Sequence, residues 1–139
     1  KKVVFVDWGG TLSDSMYWED WMNGSKKEKE MYSKINEYLF RDRKNLVKEW
    51  MLGKYSAEDI CHFLSDNVGA DYKLLFNQLE KSCRESKLVS EEVSGLIKEI
   101  KGRGIKAVIA TDNMDVFSRF IVPDLKLDKL FDDILDSCN

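Results

Sequence analysis

Proline and histidine each occur once in the 139-residue sequence, and cysteine three times. No apolar run approaches the roughly 18 residues that cross a bilayer. A single proline with eight glycines excludes a collagen-like or low-complexity chain. The cysteines, Cys61, Cys83 and Cys138, are odd in number and form no C-x-x-C pair, and His62 is the only imidazole. That inventory argues against structural zinc and a disulfide framework, and the thiols are expected to be reduced. A surplus of positive charge is also missing: 22 Lys plus Arg against 25 Asp plus Glu gives a net charge of −3. Nothing therefore marks a nucleic-acid binder. The Lys1-Lys2 start opens into Val3-Val4-Phe5-Val6 without a cleavable signal pattern, so a soluble cytoplasmic protein is expected, with no membrane or nucleic-acid partner.

What is present fits one domain, since a chain of this length buries roughly 70% of its unfolded surface. Val3 to Val6, rich in β-branched residues, reads as a short buried strand ending at Asp7. Ile105 to Ala110 reads as a second strand, set off by Gly102 and Gly104 and ending in Thr111-Asp112-Asn113; a third is expected within Phe131 to Ser137. Between the first two the period changes to 3.6. Met31, Ile35, Tyr38 and Leu39, then Leu46, Val47, Trp50 and Met51, suggest one broken helix or two in succession, with Lys26 to Glu30 as a solvated first turn.

Ser56 with Asp59 has the spacing of a capping box, ahead of Ile60, Phe63 and Leu64. Asp71 is placed to cap a helix carrying Tyr72, Leu75, Phe76 and Leu79, and Ser90 to cap one whose inner face is Val93, Leu96, Ile97 and Ile100. A last helix from Met114 to Val122 is expected to stop at Pro123. Strand, long helical stretch, crossover helix, strand, helix and weak strand describe a parallel α/β core of about three strands carrying a helical insertion after the first.

In parallel α/β sheets ligands bind at the carboxyl ends of the strands, so Asp7 and Thr111 are predicted to face one crevice. Around Asp7 the sequence V-V-F-V-D-W-G-G-T-L places two glycines where the backbone must bend and present amide donors. A carboxylate beside oriented N–H groups is equipped to act as a nucleophile.

These residues resemble the haloacid dehalogenase (HAD) superfamily, whose first motif is a hydrophobic strand ending in D-x-D-G-T-L. Asp7, Gly10, Thr11 and Leu12 match it, while Gly9 stands where phosphatases of the family have a second Asp. V-I-A-T at Val108 to Thr111, followed by Asp112-Asn113, is similar to the second motif. The resemblance implies a HAD-like Rossmannoid core at residues 1–14 and 86–139 with a helical cap at 15–85. It also implies Asp7 as the nucleophile forming a covalent aspartyl intermediate, Thr111 as a hydrogen-bond donor to the transferring group, and Gly10, Thr11, Asp112 and Asn113 as phosphate- or substrate-binding residues. Mg²⁺ would be held by the Asp7 carboxylate, the Gly9 backbone carbonyl and acids further downstream.

A phosphatase acting on a small phosphorylated metabolite is the first expectation. The missing second Asp keeps haloacid dehalogenase and phosphonatase chemistry open, with Lys54 as the cap lysine to inspect for a Schiff base, and a non-catalytic HAD-like binding module as a further alternative. The family's third motif, a Lys, and its fourth, an acidic pair, have no counterpart before Asn139, so the sequence is expected to be part of a longer chain and weak or inactive alone. Asp132-Asp133 are expected at the amino end of the third strand, away from the crevice.

Other candidates have plainer roles. Trp8, Tyr17, Trp18 and Trp21 are read as stapling cap to core, with pocket lining as the alternative; His62 is read as structural and Asp14 as a helix cap. Methionines 16, 22, 31, 51 and 114 are too scattered for a partner groove. A first strand at the sheet edge would leave pairing groups exposed and favour self-association.

Overall fold

The computed structural model describes residues 2–139. Three short strands, β1 (Val3–Val6), β2 (Lys106–Thr111) and β3 (Asp133–Asp136), form a parallel sheet in the order β1-β2-β3. Val6 pairs in register with Ile109, and Thr111 with Asp136, so all three strands end at one rim. The third strand lies within the segment expected to supply it, and β1 is an edge.

Between β1 and β2 the chain forms α1 (Glu19–Met22), α2 (Lys26–Glu37), α3 (Lys44–Met51), α4 (Ala57–Val68), α5 (Tyr72–Arg84) and α6 (Glu92–Gly102). Local chemistry sets the helix starts. Ser56 Oγ accepts from the Asp59 N–H at 3.2 Å while an Asp59 carboxylate oxygen accepts from the Ser56 N–H at 3.0 Å, and Asp71 accepts from the Leu74 N–H at 3.0 Å. A second capping box, Ser25 with Glu28, opens α2 and is legible in S-x-x-E once sought. The apolar stripes of these helices meet in a core that buries Ile35, Leu46, Trp50, Ile60, Leu64, Leu75 and Leu79. Tyr38–Asp42, between α2 and α3, is a wide π turn, so the expected broken helix is two helices joined by one wide turn.

After β2 a helical turn from Asp115 widens into a second π turn at Phe117–Ile121 and continues as α7 (Val122–Leu125) and α8 (Leu127–Leu130). Pro123 therefore does not stop the helix: it sits in the first turn of α7, where the missing N–H costs little, and Lys126 in the left-handed region ends it. Two other local expectations are corrected. Asp14 caps nothing, because α1 begins only after Trp18, itself at φ 56°. Ser90 lies one residue outside the cap of α6, its Oγ accepting from the Glu92 N–H.

Right-handed crossovers that step the same way lay their helices on one face of a sheet. Burial follows that rule: Ala107 and Ile109 are buried beneath the helices, whereas Val3, Phe5 and Leu135, on the opposite face, are 42%, 62% and 51% exposed. Leu96 belongs to the apolar stripe of α6 yet is 56% exposed, because the helix packs on β2 through its Ile97 side.

The helical layer joins the sheet through two chain segments held side by side. Leu12 O accepts from the Val89 N–H at 2.9 Å, Ser13 Oγ donates to Lys87 O at 2.5 Å, and Ser15 Oγ accepts from the Lys87 N–H at 3.0 Å. A third tie lies far from these in sequence. Asp115 accepts from Trp50 Nε1 at 2.7 Å, from the Ala57 N–H at 3.0 Å and from Arg119 at 2.8 Å, and Arg119 pairs with Glu58 through both terminal nitrogens.

Candidate active site

Where β1 ends, Trp8 anchors the turn. Its ring is 4% exposed, with its centroid 5.4 Å from that of Phe117. Its carbonyl accepts from the N–H groups of Thr11, Leu12 and Ser13, and the Gly10 N–H donates to Ser13 O at 2.9 Å. Gly10 adopts φ +74°, the left-handed geometry that a side chain would strain. This turn leaves Asp7 exposed at the strand end, with Oδ1 accepting from the Trp8 N–H at 2.7 Å. A Cβ built at Gly9 meets nothing within 4 Å, so the space for a side chain there is open.

Thr111 ends β2, and Asp7 and Thr111 line the same cavity of about 310 Å³ together with Gly9, Asp112 and Asn113. Asn113 is buried, and its Oδ1 accepts from the Tyr17 hydroxyl at 2.8 Å and from the Met114 N–H at 2.9 Å. Burial pushes the Tyr17 phenol well above its usual pKa, assisted by the nearby carboxylates of Asp115 and Asp136, so it stays protonated and donates. With both acceptor positions of Oδ1 engaged, the Asn113 amide nitrogen is turned away from them and remains a donor.

Gly10 and Thr11 lie outside the cavity wall, and the Gly10 and Thr11 amides are engaged within the turn. Lys54 is exposed in the turn after α3 and is not among the lining residues. His62 is stacked on Tyr72 at 4.0 Å between centroids. Asp132 accepts from the Ala107 N–H at 2.8 Å, at the amino end of the sheet and opposite Asp7. Cys61, Cys83 and Cys138 are free, and burial pushes the first two thiols up to about 12. Trp8, Tyr17 and Trp18 serve both readings at once: each lines the cavity, and each belongs to or packs against the core. Trp18 is tied down by Nε1 donating to Leu75 O at 3.0 Å.

Sequence reading missed the far wall. Met16, Ile35, Asn36, Phe40 and Met51 reach the cavity from the helical layer, and only packing places them there. It also missed Asp136, which with Asp7 and Asp112 borders an open depression at the strand ends. Asp136 Oδ2 is enclosed with no hydrogen-bond partner, and burial raises its carboxyl above the usual range against the opposing backbone donors of Cys138 and Asn113.

Magnesium prefers octahedral oxygen ligands, with one or two carboxylates and several waters. Among the described residues no three Asp, Glu, His or Cys side chains converge on a point. The Asp7 carboxylate and Gly9 carbonyl alone do not make a site that fits the ion.

The chain is similar in structure to a predicted HAD-like family hydrolase from Porphyromonas gingivalis, at 21% identity and TM-score 0.67, over 99% of this chain and 66% of that one. L-2-haloacid dehalogenase from Xanthobacter autotrophicus matches at 17% identity and TM-score 0.62, over 98% of this chain and 56% of that one. A HAD family enzyme from Bacteroides thetaiotaomicron, solved with magnesium and inorganic phosphate, matches at 12% identity and TM-score 0.67, over 99% and 69%. The chain thus spans 56–69% of the length of these relatives. No family model and no curated protein matches it. The likeness establishes the fold: a parallel α/β sheet with a helical layer after the first strand, as in HAD-like hydrolases.

Proposed function

On the HAD-like hydrolase fold, we propose that Asp7 is the nucleophile of a hydrolase acting on a small phosphorylated molecule. Supporting this reading is the exposed Asp7 carboxylate at the end of β1, in one cavity with Thr111 and Asn113 and roofed by residues of the helical layer. An Asp7 carboxylate oxygen attacks phosphorus, the P–O bond to the leaving group breaks with its electron pair, and the leaving oxygen takes a proton from solvent. Water then attacks the aspartyl phosphate and returns the free carboxylate. The Thr111 hydroxyl and the Asn113 amide nitrogen hold the transferring oxygens, and Asp112 borders their path. Gly10 and Thr11 contribute by shaping the turn. The layer from residue 15 to 85 acts as the cap over a core of 1–14 and 86–139.

Mg²⁺ is implied by the family resemblance alone. Gly9 supplies no acid or base, and among the described residues neither Lys nor Arg lines the cavity. A positioned general acid–base contributes about 10²–10⁴-fold, so turnover by these residues alone is expected to be weak. The missing acid–base group favours a second reading, attack of Asp7 on a carbon bearing halide, where the leaving group needs no proton. Lys54, outside the cavity, gives a Schiff-base variant no support.

No helix among the described residues is long and apolar enough to cross a membrane; we take the protein to act on its small-molecule substrate in the cytoplasm. The uncovered edge of β1 further suggests self-association. Incubation with phosphomonoesters and, separately, 2-haloacids tests the chemistry. Phosphate or halide release that disappears in Asp7→Asn supports it; the absence of both products across the panels refutes it and leaves a binding module.

A further inference from the structure

We infer that the roof of the cavity binds an uncharged, apolar part of the substrate, of the size of an aromatic ring or a branched alkyl chain, with Phe40 and Met16 selecting it. This deepens the reading above and relies on Asp7 marking the reacting end.

The cavity is most polar at the strand ends. Asp7, Thr111, Asp112 and Asn113 lie there, whereas the chain between the first two strands contributes Met16, Tyr32, Ile35, Phe40 and Met51 beside the polar Ser15 and Asn36. Phe40 and Met16 are 42% and 47% exposed, and both open into this one cavity. Leu39 continues the α2 stripe four residues after Ile35 and is fully buried, while its neighbour Phe40, in the π turn at Tyr38–Asp42, lines the cavity.

Charge points the same way. Among the described residues no Lys, Arg or His lines the cavity, and Asn36 is the only amide that α2 contributes. A sugar or nucleotide remainder would set most of its hydroxyls or charges against methyl and aryl groups, where they lose hydrogen bonds to water. An alkyl or aryl remainder would instead remove apolar surface from water on both sides, which is favourable by about 0.8 kcal/mol per methylene.

The test uses non-hydrolysable alkylphosphonates from methyl to hexyl, titrated against the whole chain by the fluorescence of Trp8 and Trp18, with glycerol phosphate and glucose 6-phosphate as polar-tailed controls. Affinity is expected to rise about fourfold per added methylene until the cavity is filled, and to exceed that of both controls. In Phe40→Ser and Met16→Ser, with an unchanged circular dichroism spectrum, the slope should flatten while methylphosphonate binding is retained. A slope that is flat or inverted, or no binding by any member, overturns the inference. The series is repeated in Asp7→Asn. An intact slope together with no hydrolysis of hexyl phosphate by the unmodified chain would sink the nucleophile reading and leave the apolar subsite standing.

Discussion

The Tyr17 hydroxyl donates to Asn113 Oδ1 at 2.8 Å, joining the start of the helical layer to the residue that follows β2 by two positions. The bond spans 96 positions of sequence and fixes which end of the Asn113 amide is free. Removing it with Tyr17→Phe keeps the ring and its packing against Trp50. The variant should lose about 1 kcal/mol of stability in urea unfolding. Substrate affinity should fall more than turnover, because the Asn113 amide is released to rotate. An unchanged KM would show that Asn113 does not depend on Tyr17.

Asp115 gathers the Trp50 indole N–H, the Ala57 N–H and Arg119 on one carboxylate. Asp115→Ala leaves two buried donors without an acceptor, and a destabilisation of about 2–4 kcal/mol is expected. Glu58→Gln, at the exposed end of the same network, should cost under about 1 kcal/mol. Equal losses in the two variants would show that the Asp115 contacts are not what ties α3 and α4 to the core.

Gly9 has room for a side chain and no left-handed backbone requirement. If the phosphatase reading holds, Gly9→Asp supplies the missing acid–base group and should raise phosphomonoester turnover by at least about tenfold, toward the 10²–10⁴-fold such groups provide when fully positioned. Halide release should not rise. A folded variant with unchanged phosphate release would count against phosphoryl transfer.

Asp136 gives a pH dependence with a definite sign. Its folded pKa is raised, by burial first and by Asp112 and Asp115 after that, so the folded state holds the proton more tightly than the unfolded chain does. Its effect on stability is then fully favourable below the ordinary aspartate range and is lost as pH rises through the folded value. Asp136→Asn should therefore raise Tm at pH 7 relative to the unmodified chain, with the difference shrinking toward pH 3. A difference that grew on acidification would reverse the assignment.

Phe5 stands 62% exposed on the uncovered sheet face of the edge strand. Sedimentation velocity over a range of concentration should show association that Phe5→Lys diminishes, since a charge on an edge strand opposes pairing. A chain that stays monomeric throughout would exclude self-association by this route.

Much of this was legible along the chain because it is local. The β-branched run before Asp7, the capping box at Ser56, the cap at Asp71 and the helical stripes of α2 to α6 all act over a few residues, and these elements appear where they were expected. Misplacements came where a neighbour intervened. Pro123 continues a helix because a π turn precedes it, and Leu96 is exposed because α6 turns Ile97, and not Leu96, toward the sheet.

The sequence by itself determined the strand ends that carry Asp7 and Thr111, because strand length and turn chemistry are set by adjacent residues. Only the tertiary structure decided that both line one cavity, that Phe40 opens into it, that Tyr17 orients Asn113, and that Asp115 ties the layers together. These relations join residues tens of positions apart, and they exist only once hydrophobic burial has brought the helices and the sheet into contact.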